Sequence, residues 1–172
     1  MPASAYDGYQ RLRFDRPHPR VLRVTLDNPG KKNSIDEVMH PEMVGVWHTI
    51  SHDDSVAAVI LTGAGDAFCA GGNFDMVDDM VRDHEVRMKN LREARDVVYN
   101  MINCTKPIIS AVRGPAVGGG LVCAILSDIS VVSRSAKLID GHTRLGLAAG
   151  DHAAIIWPLL CGMARAKYHL LM

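Results

Sequence analysis

Two buried-strand patterns in this chain each run into a cluster of glycines, and that repetition narrows the fold more than any other feature. AAVILTG (57–63) leads through a loop to CAGG (69–72), and PIISAV (107–112) leads to GGG (118–120). Glycine is a poor helix former, yet GGG stands directly before LVCAILS (121–127), which reads as a helix. A backbone without Cβ lets another group come close. The first amides of a helix lack intrahelical acceptors and sit at the positive end of its dipole. Two such amides facing one point stabilise charge on a carbonyl oxygen. Tight helix–strand packing would call for the same glycines, and the residues alone leave both readings open. Neither cluster has the GxxxxGK[ST] spacing of a phosphate loop or the GxGxxG of a dinucleotide site.

The rest of the chain fits around these units. YQRLRFDR (9–16) and RVLRVTLD (20–27) alternate apolar and polar residues, so an antiparallel pair turning at RPHP is expected. SIDE (34–37) predicts a capping box, with Ser34 as N-cap and Glu37 reaching back. Met39, Met43, Val46 and Ile50 follow at helical spacing. Leu91, Ala94, Val98 and Met101 predict one face of a helix over 80–103. DISVVS (128–133) and AKLID (136–140) predict two more strands, and helices are expected near 151–161 and 163–171. Strands alternating with helices define an α/β class. We find no repeat or internal boundary, so 1–172 is expected to form one core domain.

Composition excludes several roles. Nineteen basic residues balance nineteen acidic ones, so no field exists to recruit nucleic acid or an anionic membrane. The N-terminus is polar, without a signal core, and no apolar run is long enough to span a bilayer. Cys69, Cys104, Cys123 and Cys161 form no CxxC pair, which argues against a zinc or redox motif. The expectation is a cytoplasmic protein with reduced thiols.

Taken together, DNPGKKNSID (27–36), AVILTGAGDAFCAGGNF (58–74) and KPIISAVRGPAVGGGLVCAILSDISV (106–131) resemble the crotonase superfamily, the enoyl-CoA hydratase/isomerase family. The resemblance implies a spiral of repeated ββα units, a homotrimer or hexamer, and an acyl-CoA substrate handled through an oxyanion or enolate. It also implies that the family's C-terminal helical part is absent from these 172 residues. The family's two oxyanion donors fall on Gly72 and Gly119. Coenzyme A, expected as part of the substrate and with no further cofactor, would lie along Lys32, Ala70, Gly71 and Asn73.

The chain departs from the family at the positions that carry hydratase chemistry. Where hydratases keep two glutamates, this sequence has Val122 and His142. A lysine that some members carry beyond the first donor is Asp75 here, leaving Lys31 and Lys32 as the nearby charges. His142 is a suitable base near neutral pH, with Asp151 as the expected orienting carboxylate. Asp151 would equally serve to cap the following helix, and Asp140 competes as partner. The H…GD spacing resembles family hydrolases of cyclic β-diketones. Three functions therefore stand open: a hydratase/isomerase, a β-diketone or thioester hydrolase, and a non-catalytic member. Other features have plainer explanations. His48 and His52 share metal-ligand spacing but lack a third ligand. Cys69 reads as packing, and 81–96 reads as a solvated helix face. Met76, Met80 and Met88 are expected over the acyl pocket.

Overall fold

A computed structural model describes residues 5–149 and 152–172. Strand β1 (Leu12–His18) pairs antiparallel with β2 (Val21–Leu26). The turn is shorter than RPHP: β1 runs on through His18, with a register shift between Asp15 and His18. Helix α1 (Met39–Ser51) then crosses to β3 (Ala58–Gly63), which lies parallel to β2. Helices α2 (Phe74–Arg82) and α3 (His84–Ile102) lead to β4 (Ile108–Val112), parallel to β3. A short strand, β5 (Pro115–Val117), precedes α4 (Gly119–Leu126), and β6 (Ile129–Val132) completes the first sheet in the order β1-β2-β3-β4-β6. Strand β7 (Lys137–Ile139) pairs parallel with β5, and α5 (His152–Cys161) and α6 (Met163–Leu171) follow.

The second layer is what makes the chain a spiral. Each turn sends one short extended segment into it: Ile35, then 69–72, then β5, then β7. Ile35 bridges Gly72, Cys69 bridges Ala116, and Val117 pairs with Ile139, all in parallel. The expected α/β spiral of ββα units is therefore present, with one strand (β5) that sequence pattern did not reveal. It is three residues long, opens on a proline and lies between glycines, a pattern that reads as a loop.

Alternation explains the burial. Leu22, Val24 and Leu26 of β2 and Val59 and Leu61 of β3 are at most 1% exposed, and they meet Met39, Val46, Trp47 and Ile50 of α1. Ser110 in β4 and Ser130 in β6 both donate to the Ala124 carbonyl at 2.7 Å, which seats α4 on the sheet.

Two expectations fail for local reasons. The side chain that accepts from the amides leading into α1 is Asp36, not Ser34: its Oδ1 accepts from Met39 (2.8 Å) and Val38 (3.2 Å), with Val38 as the residue before the helix. Ser34 is drawn into the preceding loop instead, its amide donating to Lys31 and its carbonyl accepting from Asn28. The helix expected over 80–103 is two helices, because Asp83 leaves the helical region (φ −122°, ψ 123°) and caps α3 through the amides of Glu85 and Val86. Its buried line runs through Asn90, Val97 and Met101, and Leu91 is exposed. Among the described residues no helix is long and apolar enough to cross a membrane.

Candidate active site

The site is built where the second layer meets the start of α4. Gly72 lies three residues past Cys69, and Gly119 lies three residues past Cys69's bridge partner, Ala116. The two segments are stapled together by the Phe68 and Cys69 amides on the Pro115 carbonyl and by the Val117 amide on the Cys69 carbonyl. Beyond β5 the backbone turns sharply at Gly118 (φ 49°, ψ −122°), a conformation open to glycine and not to other residues. That turn starts α4 with Gly119 as its first residue.

The glycine cluster also sets how closely the pieces approach. A Cβ on Gly120 would stand 2.4 Å from the Cys69 Cβ and 2.6 Å from its sulfur. A Cβ on Gly119 would meet the Ile35 Cδ1 at 2.9 Å, and one on Gly72 would meet the Met76 Cε at 3.4 Å. Ile35 and Met76 thus flank the two expected donors. Among the described residues, neither the Gly72 nor the Gly119 amide donates to a protein acceptor, while the amides just before and after them on the loop side are spent: Gly71 on the Cys69 sulfur, Asn73 on Ile35, Gly118 on Ile139. Gly72 is exposed and Gly119 half-buried.

The loop at 27–36 holds the first of these segments. The Ala70 amide donates to the Lys32 carbonyl (3.0 Å), the Ile35 amide to Gly71 (2.8 Å), and the Asn73 amide to Ile35 (2.8 Å). Lys32, Ala70, Gly71 and Asn73 are therefore brought together. The Asn73 side chain is occupied as the cap of α2, accepting from the Asp75 amide at 3.2 Å. Lys32 and Asn33 both take positive φ (49° and 56°). Such strain persists only when the surroundings over-determine it, and here they do. The Asn33 amide group donates to the carbonyls of Ala64 (2.8 Å) and Ala67 (2.9 Å), and Asn28 donates to Ser34 and Asp36. Arg11 closes the network on Asp36 at 2.8 Å. Burial alone would raise the Asp36 carboxyl, but the Met39 amide, the Arg11 guanidinium and the Val38 amide together hold it below its ordinary range. Arg11, Asn28, Asn33 and Asp36 were not singled out in sequence; two asparagines flanking Pro-Gly were the available signal for a side-chain-braced turn.

His142 arrives from the other side. Ile139, the last residue of β7, accepts from the Gly118 amide at 3.1 Å, and His142 follows three residues later. A 3-10 turn, Thr143–Leu145, comes next, and the His142 carbonyl accepts from the amides of Leu145 and Leu147. Its Nδ1 lies 2.8 Å from the Asp140 Oδ1, with side-chain exposures of 14% and 3%. Asp140, the competing partner in sequence, is thus in contact with the ring; the expected partner Asp151 lies outside the described residues. Val122 is buried in α4, four residues past the turn at Gly118, whose carbonyl accepts its amide.

The remaining candidates settle into structural roles. Cys69 is fully buried, and desolvation pushes its thiol up to about 12, so it is no nucleophile near neutral pH. His48 and His52 are exposed, their ring centroids 4.3 Å apart and their planes tilted by 44°. Among the described residues no three His, Cys, Asp or Glu side chains gather to hold a metal.

A family model described as enoyl-CoA hydratase/isomerase matches residues 18–172. The 1,2-epoxyphenylacetyl-CoA isomerase of Escherichia coli (strain K12) is 32% identical over 148 residues, covering 85% of this chain and 56% of the relative. The mitochondrial Delta(3,5)-Delta(2,4)-dienoyl-CoA isomerase of Homo sapiens is 33% identical over 151 residues, covering 83% of this chain and 46% of the relative. An enoyl-CoA hydratase/isomerase structure from Mycobacterium paratuberculosis superposes with a TM-score of 0.91 at 34% identity, covering 97% of this chain and 67% of that one. The chain spans about half the length of the curated relatives it matches.

Proposed function

The chain belongs to the enoyl-CoA hydratase/isomerase family, and from that premise we propose that it acts on an acyl-CoA thioester through an oxyanion or enolate intermediate. The amides of Gly72 and Gly119 hold the thioester oxygen as negative charge builds on it. His142 moves the proton. Coenzyme A enters as part of the substrate, along the edge formed by Lys32, Ala70, Gly71 and Asn73, and no separate cofactor is required. Val122 lines the acyl side. The working assembly in this reading is a homotrimer or hexamer in the cytoplasm, a setting that suits four unpaired thiols.

The observation that carries the reading is the pair of unspent amides on two segments stapled to each other. The first amides of a helix have no intrahelical acceptor and stay available to an incoming one. A developing oxyanion is the acceptor such a pair serves best, because fixed donors need no reorganisation during the reaction.

A second reading rests on a separate observation. Val122 removes one of the carboxylates that water addition uses, whereas His142 beside a buried carboxylate is a hydrolase-type base. Hydrolysis of a thioester or of a cyclic β-diketone would use the same oxyanion site.

Gly119 offers a clean test. Proline is tolerated at the first position of a helix and has no N–H. Gly119→Pro should lower kcat roughly 10²- to 10³-fold, while Gly119→Ala, which keeps the donor, should retain most turnover. Crotonyl-CoA hydration, thioester hydrolysis and β-diketone cleavage are assayed in parallel to identify the reaction. Full turnover by Gly119→Pro in whichever reaction the wild type performs would overturn the oxyanion role.

A further inference from the structure

We propose that Ile35 is a specificity-determining residue of this site: its side chain sets the room left at carbon 2 of the acyl group, the carbon bonded to the thioester carbonyl, and so excludes acyl groups branched there. The inference rests on the reading of Gly72 and Gly119 as the oxyanion donors and adds which acyl groups that pair accepts.

Ile35 touches both donor segments. Its backbone lies parallel to Gly72 and bridges it. The Ile35 amide donates to the Gly71 carbonyl and its carbonyl accepts from the Asn73 amide, both at 2.8 Å. Those bonds fall on either side of Gly72. The side chain reaches further. A Cβ on Gly119 would stand 2.9 Å from the Ile35 Cδ1, so this methyl is in van der Waals reach of the Gly119 backbone. The 69–72 segment stands between Ile35 and β5, the strand that leads to Gly119. The isoleucine spans that segment beside Gly72, where there is no side chain to stop it. One residue thus borders the gap between the two amides, with its backbone against one and its terminal methyl against the other.

The residues at this gap differ in how far they yield. Ile35 is 4% exposed and belongs to the main core. A β-branched side chain has few rotamers, and here the backbone is held on both sides. Met76 lies on the Gly72 side, its Cε 3.4 Å from where a Gly72 Cβ would stand. It is half-buried, on a helix none of whose residues is buried, and an unbranched thioether adapts its shape. Crowding is therefore relieved at Met76 and not at Ile35. An oxygen accepting from both amides holds its carbonyl carbon one bond away. That carbon carries two substituents. The sulfur is common to every CoA thioester, so carbon 2 is the one that varies. A branch on it adds volume beside the fixed wall, where overpacking is not absorbed. A branch on carbon 3 lies one bond further out.

The test is calorimetric titration of the full chain with CoA analogues in which a methylene replaces the thioester sulfur, which keeps the carbonyl and prevents thioester hydrolysis. The butanoyl and 2-methylpropanoyl analogues are isomers, one straight and one branched at carbon 2. Wild type should bind the straight isomer at least about tenfold more tightly. The pentanoyl and 3-methylbutanoyl analogues should differ by less than about threefold. Ile35→Val deletes Cδ1 alone and should bring the first pair to within about threefold of each other, while Met76→Ala should leave the preference in place. Equal affinity of wild type for the first pair, which needs no variant to fold, overturns the role of Ile35 and leaves the oxyanion reading standing. So does a ratio in Ile35→Val unchanged from wild type. A wild type that binds none of the four analogues overturns the acyl-CoA reading and this inference with it.

Discussion

At the scale of single residues, two glycines separate what a missing Cβ is for. Gly45 sits on the exposed side of α1, and a Cβ there would meet nothing within 4 Å. Gly120 is buried at the start of α4 against Cys69, with 2.4 Å left for a Cβ. Both are helical, so propensity alone would predict that alanine stabilises each. Packing reverses the sign at Gly120. Gly45→Ala should raise stability by about 0.5–1 kcal/mol, and Gly120→Ala should lower it by about 1–3 kcal/mol, read as opposite shifts of the thermal midpoint. The triplet 118–120 was legible in sequence as a constrained segment, but its division of labour was not. Gly118 makes the turn, Gly119 offers an amide, and Gly120 permits contact with a residue 51 positions earlier. Those partners are assigned only by the bridge between Cys69 and Ala116.

At the scale of elements, the joint between α1 and α3 carries a titratable contact. His40 is 8% exposed, and its Nδ1 lies 2.9 Å from a Glu93 carboxylate oxygen. The ring nitrogen is not aligned for a hydrogen bond, so the attraction is Coulombic. Burial depresses His40 more than Glu93 lifts it, and its folded pKa falls below the ordinary histidine value of 6.5. A depressed folded value means the stabilisation is complete above the unfolded pKa and is lost as pH falls below it. Thermal midpoints should therefore drop as pH is lowered from 7 through about 6 and below, with a slope limited to about 1.4 kcal/mol per pH unit for one proton. His40→Gln should flatten that slope; an unchanged slope would show that His40 does not supply it. The same scale shows why helix boundaries were misread. A strong local cap at Asp83 divides a segment whose apolar spacing reads as continuous, and Asp36 outcompetes Ser34 because Asn28 and Lys31 engage the serine backbone.

At the scale of the whole molecule, β6 is the telling element. Strands of a parallel sheet are covered on both faces and read as continuous apolar runs. β6 has that composition, yet Ile129 is 58% exposed and Val131 60%. It is also the last strand of its sheet, with an open edge. Uncovered apolar edges drive association. Val131→Lys should change folding stability by less than about 0.5 kcal/mol and should reduce concentration-dependent self-association in sedimentation velocity. Association unaffected by the lysine would place the contact between copies elsewhere.

The sequence by itself determined the α/β class, the order of nearly all the strands and helices, and the two glycine clusters, because alternation, helical spacing and glycine content are local properties of the chain. It also marked Gly72, Gly119 and His142 through a resemblance. Only the tertiary structure decided that the two amides go unspent, that Asn28 and Asn33 brace the loop over them, and that Asp140 meets the histidine ring. Those facts depend on which distant backbone segments face each other across the second layer. Hydrogen-bond partners assigned by parallel register between turns of a spiral leave no periodic trace in the residues themselves.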